Sequence, residues 1–304
     1  MLEELRTFIA VVEEKSFTKA AEKVNLSQPS VSVHIKHLET YFNTQLITRS
    51  MKPKKIIVTE SGHLLYKRSK QLLSLLATTR DELQHIDSTY KGHLKIGATS
   101  TIGECLLPSF LPSFCECYQD INIEVIIGNS VEITKKMKSL QLDLALVEGS
   151  LSFPTFKQKC FFKDQLVLIA PKNDLFNEEV LTSHLLHQQR WLTREHGSGL
   201  REAVDSFLVA HQIIPKNKLV LNSNYAIKEA VKKGLGIAMV PRSLVYQVNE
   251  NAGLQVLELN TSYQIAFSSL LPKHLPISPI TSLFLESFIH YMNQTINTKI
   301  KRGL

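Results

Sequence analysis

The chain has little of what marks an exported, membrane-bound or metal-holding protein. It carries four cysteines in 304 residues, Cys105, Cys115, Cys117 and Cys160, with no CxxC pair among them. That argues against a disulfide framework or a zinc site, and buried, reduced thiols are the expectation, with a redox switch as the alternative. The opening Met1-Leu2-Glu3-Glu4 has neither the basic nor the apolar segment of a signal peptide. No apolar run approaches the length of a membrane span, so the expected location is the cytoplasm, with no membrane partner. Also missing are a nucleophile elbow, a Walker loop, a dinucleotide fingerprint and a cluster of metal ligands. His63, His93, His184, His187, His196 and His211 are dispersed. No catalytic residue, metal ligand or resident cofactor is expected, and the chain does not read as an enzyme.

What is present starts with residues 16–42. Ala20 and Ala21 lie on a short helical stretch, Asn25 and Leu26 make a turn, and Ser27-Gln28-Pro29 opens a second helix. Ser27 suits an N-cap, and Pro29 needs no helical N–H partner just inside the start. Two helices meeting steeply across a short turn form a helix-turn-helix, whose second helix can enter a major groove. Leu5, Phe8, Val12, Val24, Val31, Ile35, Leu38 and Phe42 recur at helical spacing and read as its core. Gln28, Ser30, Ser32, Val33, His34, Lys36 and His37 make up the other face of the second helix. Gln can bond an adenine edge, Ser or His can reach bases or phosphates, and Lys neutralises phosphate.

The surroundings are basic. Between Lys15 and Val58 there are eight Lys or Arg against two acids, Glu22 and Glu39, and Arg49, Lys52, Lys54 and Lys55 crowd one short stretch. Gln45–Ile47 and Ile56–Val58 flank that stretch as short β-prone runs, which suits a hairpin wing tracking phosphates or the minor groove. The net charge of +7 agrees with a polyanionic partner.

From Glu60 to about Tyr90 a long helix is expected, capped by Thr59 or Ser61 and ended at Lys91-Gly92. Leu64, Leu65, Leu72, Leu73, Leu75, Leu76, Leu83 and Ile86 form a seam too apolar for an isolated exposed helix. It packs either on its own domain or on a second copy, and a single long helix between two domains favours the copy. After Gly92, HLKIGA, INIEVIIG, LDLALVEG, QLVLIAP, RWLTRE, KLVLN, GIAMVP and QIAFSSLL read as strands. They alternate with helices near 103–119, 130–139, 199–211, 224–233 and 278–297, which predicts α/β lobes with mostly parallel sheets.

Three segments of this part suit a ligand. Thr99, Ser100 and Thr101 follow the first strand and lead into a helix. Glu195, His196, Gly197 and Ser198 hold the corresponding place further on. Val147 and Glu148 end a strand facing the crevice expected between the lobes, where the other two segments also belong. Hydroxyls and free N–H groups at helix starts hold anions. Glu148 would oppose a bare anion unless protonated or paired, for example with Arg194 or His196.

Taken together, these residues resemble the LysR-type transcriptional regulators over almost the whole chain. The resemblance rests on LRTFIAVVEEKSFTKAAEKVNLSQPSVSVHIKHLE, with its Phe17-Thr18-Lys19-Ala20-Ala21 and Ser27-Gln28-Pro29 elements. VTESG, DLALVEG, TREHGSG and SNYAIKEAVKKGLGIAMVP follow in order. It implies an α+β multidomain architecture: a winged helix-turn-helix at 1–60, a linker and dimerisation helix at 61–91, and an effector-binding domain at 92–304. That last domain would be a two-lobed α/β unit resembling periplasmic solute-binding proteins, with lobe I at 92–162 and 268–304 and lobe II at 163–267. DNA contacts would fall to Thr18, Ser27, Gln28, Pro29, Ser30, Ser32, Val33, His34, Lys36, Arg49, Lys52, Lys54 and Lys55. Many members carry Arg or another polar residue where this chain has Val33, which shifts base reading towards His34, Lys36 or an apolar contact with a thymine methyl. The implied partners are double-stranded promoter DNA, a small-molecule effector, a second copy in a homodimer that assembles into a homotetramer, and RNA polymerase. The effector would be a small oxyanion or carboxylate, since Glu148 and REHGSG look like a subset linked to sulfur or carbon assimilation.

Two other functions compete. A cytoplasmic solute-binding protein without promoter control would keep the two lobes but has no use for the helix-turn-helix. An α/β enzyme would need one of the missing catalytic motifs.

Overall fold

The computed structural model describes residues 1–49, 56–84, 90–149, 152–172, 183–245, 253–257, 259 and 261–301. The chain divides into two compact units, residues 1–83 and 84–304.

In the first unit, helix α1 (Leu2–Glu14) starts with Glu3 and Glu4, whose charge suits a helix N-terminus, and turns out through Lys15 in the left-handed region. Ser16 caps α2 (Phe17–Lys23) by accepting from the Lys19 N–H. Ala20 and Ala21 are buried where α2 packs against its neighbours, as close helix approach requires. Asn25, a residue type that tolerates positive φ, makes the turn. Ser27 then caps α3 (Gln28–Tyr41), accepting from the Ser30 N–H with Pro29 in the first turn. The core holds Leu5, Phe8, Val11, Val31, Ile35 and Leu38, with Val12 and Val24 packed partly against it. Phe42, expected in this core, is 42 % exposed, because α3 ends one residue earlier and the chain turns outward there.

The wing pairs β1 (Ile47–Arg49) with β2 (Ile56–Val58), so its first strand starts two residues later than the β-prone run suggested. The tip, with Lys52, Lys54 and Lys55, lies outside the described residues. Glu39 on α3 accepts from the Leu46 and Ile47 N–H groups and ties that helix to the wing. The Thr59 hydroxyl accepts from the Gly62 N–H and opens α4 (Glu60–Gln84). A Cβ on Gly62 would lie 2.3 Å from the Leu46 carbonyl oxygen, so the crossing of wing and helix needs glycine. The helix was expected to run to about Tyr90; Tyr90 and Lys91 are not helical, and 85–89 lie outside the described residues. Glu13 on α1 holds α4 through Lys70 and Tyr66, and α2 through Lys23. Burial works against ionisation of Glu13, yet the Lys70 and Lys23 bonds keep its carboxyl below the ordinary value.

The second unit contains β3 (Gly92–Thr99), a π-helical turn (Ile102–Leu106), α5 (Leu107–Cys117), β4 (Ile121–Gly128), α6 (Ser130–Lys138) and β5 (Leu144–Glu148). It continues with β6 (Phe156–Pro171), α7 (Ser183–Gln188), β7 (Arg190–Thr193), α8 (Gly199–Ala210), β8 (Asn217–Val220) and α9 (Asn224–Lys232). β9 (Ala238–Pro241), β10 (Leu254–Leu257), β11 (Tyr263–Pro272) and α10 (Pro279–Lys301) complete it. One sheet runs β10-β6-β11-β5-β3-β4, with β9 also on β6, and β7 pairs with β8 in a second sheet. The expected parallel pairing holds for β3 with β4, β3 with β5, and β7 with β8, where a helix lies between the strands. The remaining pairings are antiparallel, because β6 leaves the first lobe and β11 returns to it. These two strands form one ladder from Phe156↔Pro272 to Leu166↔Tyr263 with a bulge at Phe267/Ser268, and the sequence-based lobe boundaries fall inside it. β6 is longer than QLVLIAP suggested because its first half is a partner of β11 and its second half of β9 and β10.

Phe284 and Phe288 of α10 meet Phe110 of α5 edge to face, Phe284 also meets Phe114, and one buried cluster continues from there to Trp191 and Phe207. The cysteines depart from expectation. Cys115, Cys117 and Cys160 are exposed and Cys105 is half-buried, all as free thiols.

Candidate functional site

Helix α3 separates its two faces cleanly. Val31, Ile35 and Leu38 point into the core, while Gln28, Pro29, Val33, Lys36 and His37 are exposed, as are Ser27 and Thr18 beside them. Ser30, Ser32 and His34 are half-buried, and the Gln28 amide donates to the Ser32 hydroxyl at 3.0 Å. Val33 leaves 48 % of its surface to solvent, an apolar side chain on a polar face. His34 is less free than its position suggested. The Thr7 hydroxyl donates to the Glu3 carbonyl, so the His34 Nδ1–H, 2.9 Å away, must donate to Thr7. In the neutral ring Nε2 is then left as an acceptor. Arg49 ends β1, its side chain, like Lys52, Lys54 and Lys55, outside the described residues.

In the second unit the structure brings the three expected segments together and buries them. Thr99, Ser100, Thr101, Val147, Glu148 and Ser198 are almost wholly inaccessible, Glu195 and Gly197 are half-buried, and His196 is exposed. The lobes touch backbone to backbone: a Cβ on Gly199 would fall 2.1 Å from the Glu148 carbonyl oxygen, so this contact requires glycine. The Val131 N–H donates to the Gly197 carbonyl beside it.

A residue that sequence reasoning did not single out sits at the centre. Asn224, fully buried at the start of α9, accepts from Arg194 Nη1 at 2.9 Å and donates to the Thr101 hydroxyl oxygen at 2.5 Å. The Thr101 hydroxyl also lies near the Glu148 carboxyl and favours its ionised form. Arg194 does not pair with Glu148 as expected. Its Nε and Nη2 grip both carboxylate oxygens of Glu195 at 2.8 and 3.0 Å. A hydrogen-bonded chain Glu195–Arg194–Asn224–Thr101 thus crosses from one lobe to the other and ends beside Glu148. Beside it, Glu104 accepts from the Ser223 hydroxyl and the Tyr225 N–H, a second link between lobes. Nothing in the SNYAIK segment signals that its asparagine reaches a threonine more than a hundred positions earlier.

Burial raises the Glu148 carboxyl to about 7; Thr101 and Arg194 pull against this, and Asp164 and Glu104 reinforce it. Asp164, on the crossing strand β6, is raised by burial to about 6, against the Ser243 N–H that donates to it. Burial also opposes ionisation of Glu195, but the Arg194 bonds hold its carboxyl below the ordinary value. The hydroxyls divide by use. Thr99 accepts from the Glu148 N–H, and Thr101 accepts from the Asn224 amide. Glu148 Oε2, Thr193 Oγ1 and Ser198 Oγ are buried without a partner among the described residues. Among those residues no group of three or more His, Cys, Asp or Glu is placed to hold a metal ion. No described helix is long and apolar enough to cross a membrane.

A DNA-reading helix-turn-helix joined to a two-lobed small-molecule domain defines a ligand-responsive regulator. Residues 2–63 match the bacterial regulatory helix-turn-helix protein of the lysR family, and residues 87–293 match the LysR substrate binding domain. The chain is 39 % identical to the HTH-type transcriptional regulator CysL of Bacillus subtilis over 257 residues, covering 84 % of this chain and 85 % of the relative. It is 32 % identical to a probable RuBisCO transcriptional regulator of Phaeodactylum tricornutum, covering 85 % and 86 %. Among solved structures, full-length OxyR from Pseudomonas aeruginosa shares the fold with a TM-score of 0.73 at 20 % identity, covering 97 % and 95 %. The chain belongs to the LysR family of transcriptional regulators, with a DNA-binding N-terminal unit and an effector-binding C-terminal unit.

Proposed function

We propose that this regulator reads its operator with α3, pairs through α4, and answers to a small oxyanion or carboxylate held where the two lobes meet. Gln28, Ser32, His34 Nε2 and Lys36 are the base and phosphate contacts of α3, with Thr18, Ser27, Pro29 and Ser30 positioning its start. Val33 suits a thymine methyl. Arg49, Lys52, Lys54 and Lys55 supply affinity independent of sequence. Leu72 and Leu76, 46 % and 44 % exposed in the single chain, are the seam for a second copy. Assembly to a tetramer and contact with RNA polymerase at the promoter complete the reading. The names of the relatives, CysL and a RuBisCO regulator, support a role in sulfur or carbon assimilation.

The observation that carries the effector site is the trio Glu148 Oε2, Thr193 Oγ1 and Ser198 Oγ. Buried polar atoms without partners are rare in native folds, and a ligand is one way to satisfy them. Thr101, in contrast, braces the lobes through Asn224, and Thr99 is tied within its own lobe by the Glu148 N–H. Removing the Thr101 hydroxyl would orphan Asn224 as well, so Ser198→Ala is the cleaner probe. A thermal-shift screen of the full chain with small oxyanions and carboxylates tests the reading, because a ligand of the folded state raises its melting temperature. The hit should bind Ser198→Ala roughly five- to hundredfold more weakly, as loss of one hydrogen bond in a dry site requires. Operator affinity without the ligand should stay at the parent value. Undiminished binding in Ser198→Ala would place the effector elsewhere.

A further inference from the structure

The charges around the interlobe contact do not suit a bare anion. The groups facing Glu148 are Glu104 after β3, Asp164 on β6, and Arg194. Arg194 is already held by Glu195 and Asn224. Lys228, buried one turn along α9 from Asn224, has its ammonium 5.1 Å from the Tyr225 ring centroid. The remaining neighbours, Thr99, Thr101, Ser130 and Asn224, are neutral. An ionised Glu148 would add a further negative charge in a dry setting and offer only acceptors.

The donors nevertheless point to an anion. Ser198, the N-cap of α8, makes no side-chain cap bond, so its hydroxyl is uncommitted and the first turn of a twelve-residue helix is not closed by it. An ammonium group would face the positive end of that helix, whereas an anion is stabilised there. Both demands are met in one state. Glu148 as a neutral acid brings no charge against the anion and donates from Oε2, the oxygen that has no partner among the described residues.

We propose that the interlobe site takes its oxyanion together with one proton, held on Glu148 Oε2 and donated to the ligand, so that occupancy reports acidity as well as effector concentration. This rests on the oxyanion reading above and adds the proton to it. Burial that raises the free carboxyl to about 7 agrees in direction, since a bound anion raises it further.

Sulfate and thiosulfate are suitable probes, because both stay fully ionised near neutral pH and any proton taken up belongs to the protein. Calorimetry on the full chain, in buffers of different ionisation enthalpy, should show uptake approaching one proton per anion above about pH 7. Affinity should fall by about tenfold per pH unit there and level off at lower pH. Glu148→Gln, whose amide still donates, should bind the same anions with no proton uptake and no such slope. Anion binding by the parent chain without proton uptake would overturn the proposal and leave the oxyanion reading standing. So would methylammonium binding that strengthens as pH rises. If neither anion binds the parent or the variant at any pH, the oxyanion reading falls and this proposal with it. Should Glu148→Gln fail to fold, proton uptake by the parent chain decides alone.

Discussion

The two units use polar side chains in opposite ways. On α3, Gln28, Lys36 and His37 stand in solvent, whereas Thr99, Thr101, Glu148, Arg194, Ser198 and Asn224 are all but sealed where the lobes meet. A duplex is a large polyanion that brings its own surface, so its reader must keep its contacts on the outside. A small ligand gains only from groups already fixed and dry, where each hydrogen bond counts for more. Exposed readers can therefore be changed with little effect on folding, while each buried group is tied to stability as well as binding.

The largest expected effect tests whether the units stand apart. Phe8 is fully buried in the first unit's core, so Phe8→Ala should destabilise that unit by about 3–5 kcal/mol. Operator binding should be lost near body temperature while effector binding persists. Two melting transitions, the lower one shifted in the variant, would be the calorimetric sign; a single shifted transition would show the units to be coupled.

Next comes pH. A carboxyl raised on folding stabilises the native state while protonated, and that stability is lost as pH rises from its unfolded towards its folded value. For Glu148 the window runs from 4.5 to about 7, and for Asp164 from 3.8 to about 6. The melting temperature of the ligand-free chain should therefore fall between about pH 4 and about pH 7 on account of these groups. Glu148→Gln should remove the upper part of that fall and be more stable than the parent at pH 8, by roughly 3 kcal/mol at most. Parallel melting curves for parent and variant across this range would show Glu148 to be ionised in the fold.

Asn224→Ala sharpens the contrast from the other side. It leaves Arg194 and Thr101 with unmet groups and should destabilise by about 1–3 kcal/mol, without touching operator discrimination measured on DNA alone. Urea unfolding of the second unit checks the first part, and competition between operator and random DNA checks the second.

What could be read in advance follows the same division. The helix-turn-helix was legible because its information is local: Ser16 and Ser27 cap, Asn25 turns, and Val31, Ile35 and Leu38 repeat at helical spacing. Failures came where tertiary context decides, as with Phe42 turned outward and the exposed cysteines. The lobes were legible as strand and helix alternation, yet the return strand that makes half the sheet antiparallel leaves no periodic mark. At the interlobe contact the segments around Thr101, Glu148 and Ser198 could be found as helix starts and strand ends. Asn224 could not, because its role depends on a partner 123 positions away. Nor could the pairing of Arg194 with its neighbour Glu195 in place of Glu148, since spacing does not say which acid a guanidinium faces.

The smallest effects lie on α3, and there the comparison is with DNA itself. Gln28 is exposed and bonded only to Ser32, so Gln28→Ala should barely change stability. It should narrow the gap between operator and random DNA by about 1–3 kcal/mol, the worth of one good base contact. Lys36, exposed one turn beyond Ser32, has no base assigned to it by its length or charge alone. If it neutralises one phosphate, Lys36→Ala should weaken operator and random DNA alike and make the salt dependence of binding shallower by about one ion per site. Titrations of both variants over a range of salt concentrations separate the two roles. A Lys36→Ala protein that loses discrimination while keeping its salt slope would make Lys36 a base reader beside Gln28, and it would then share with His34 the polar readout that Val33 cannot supply.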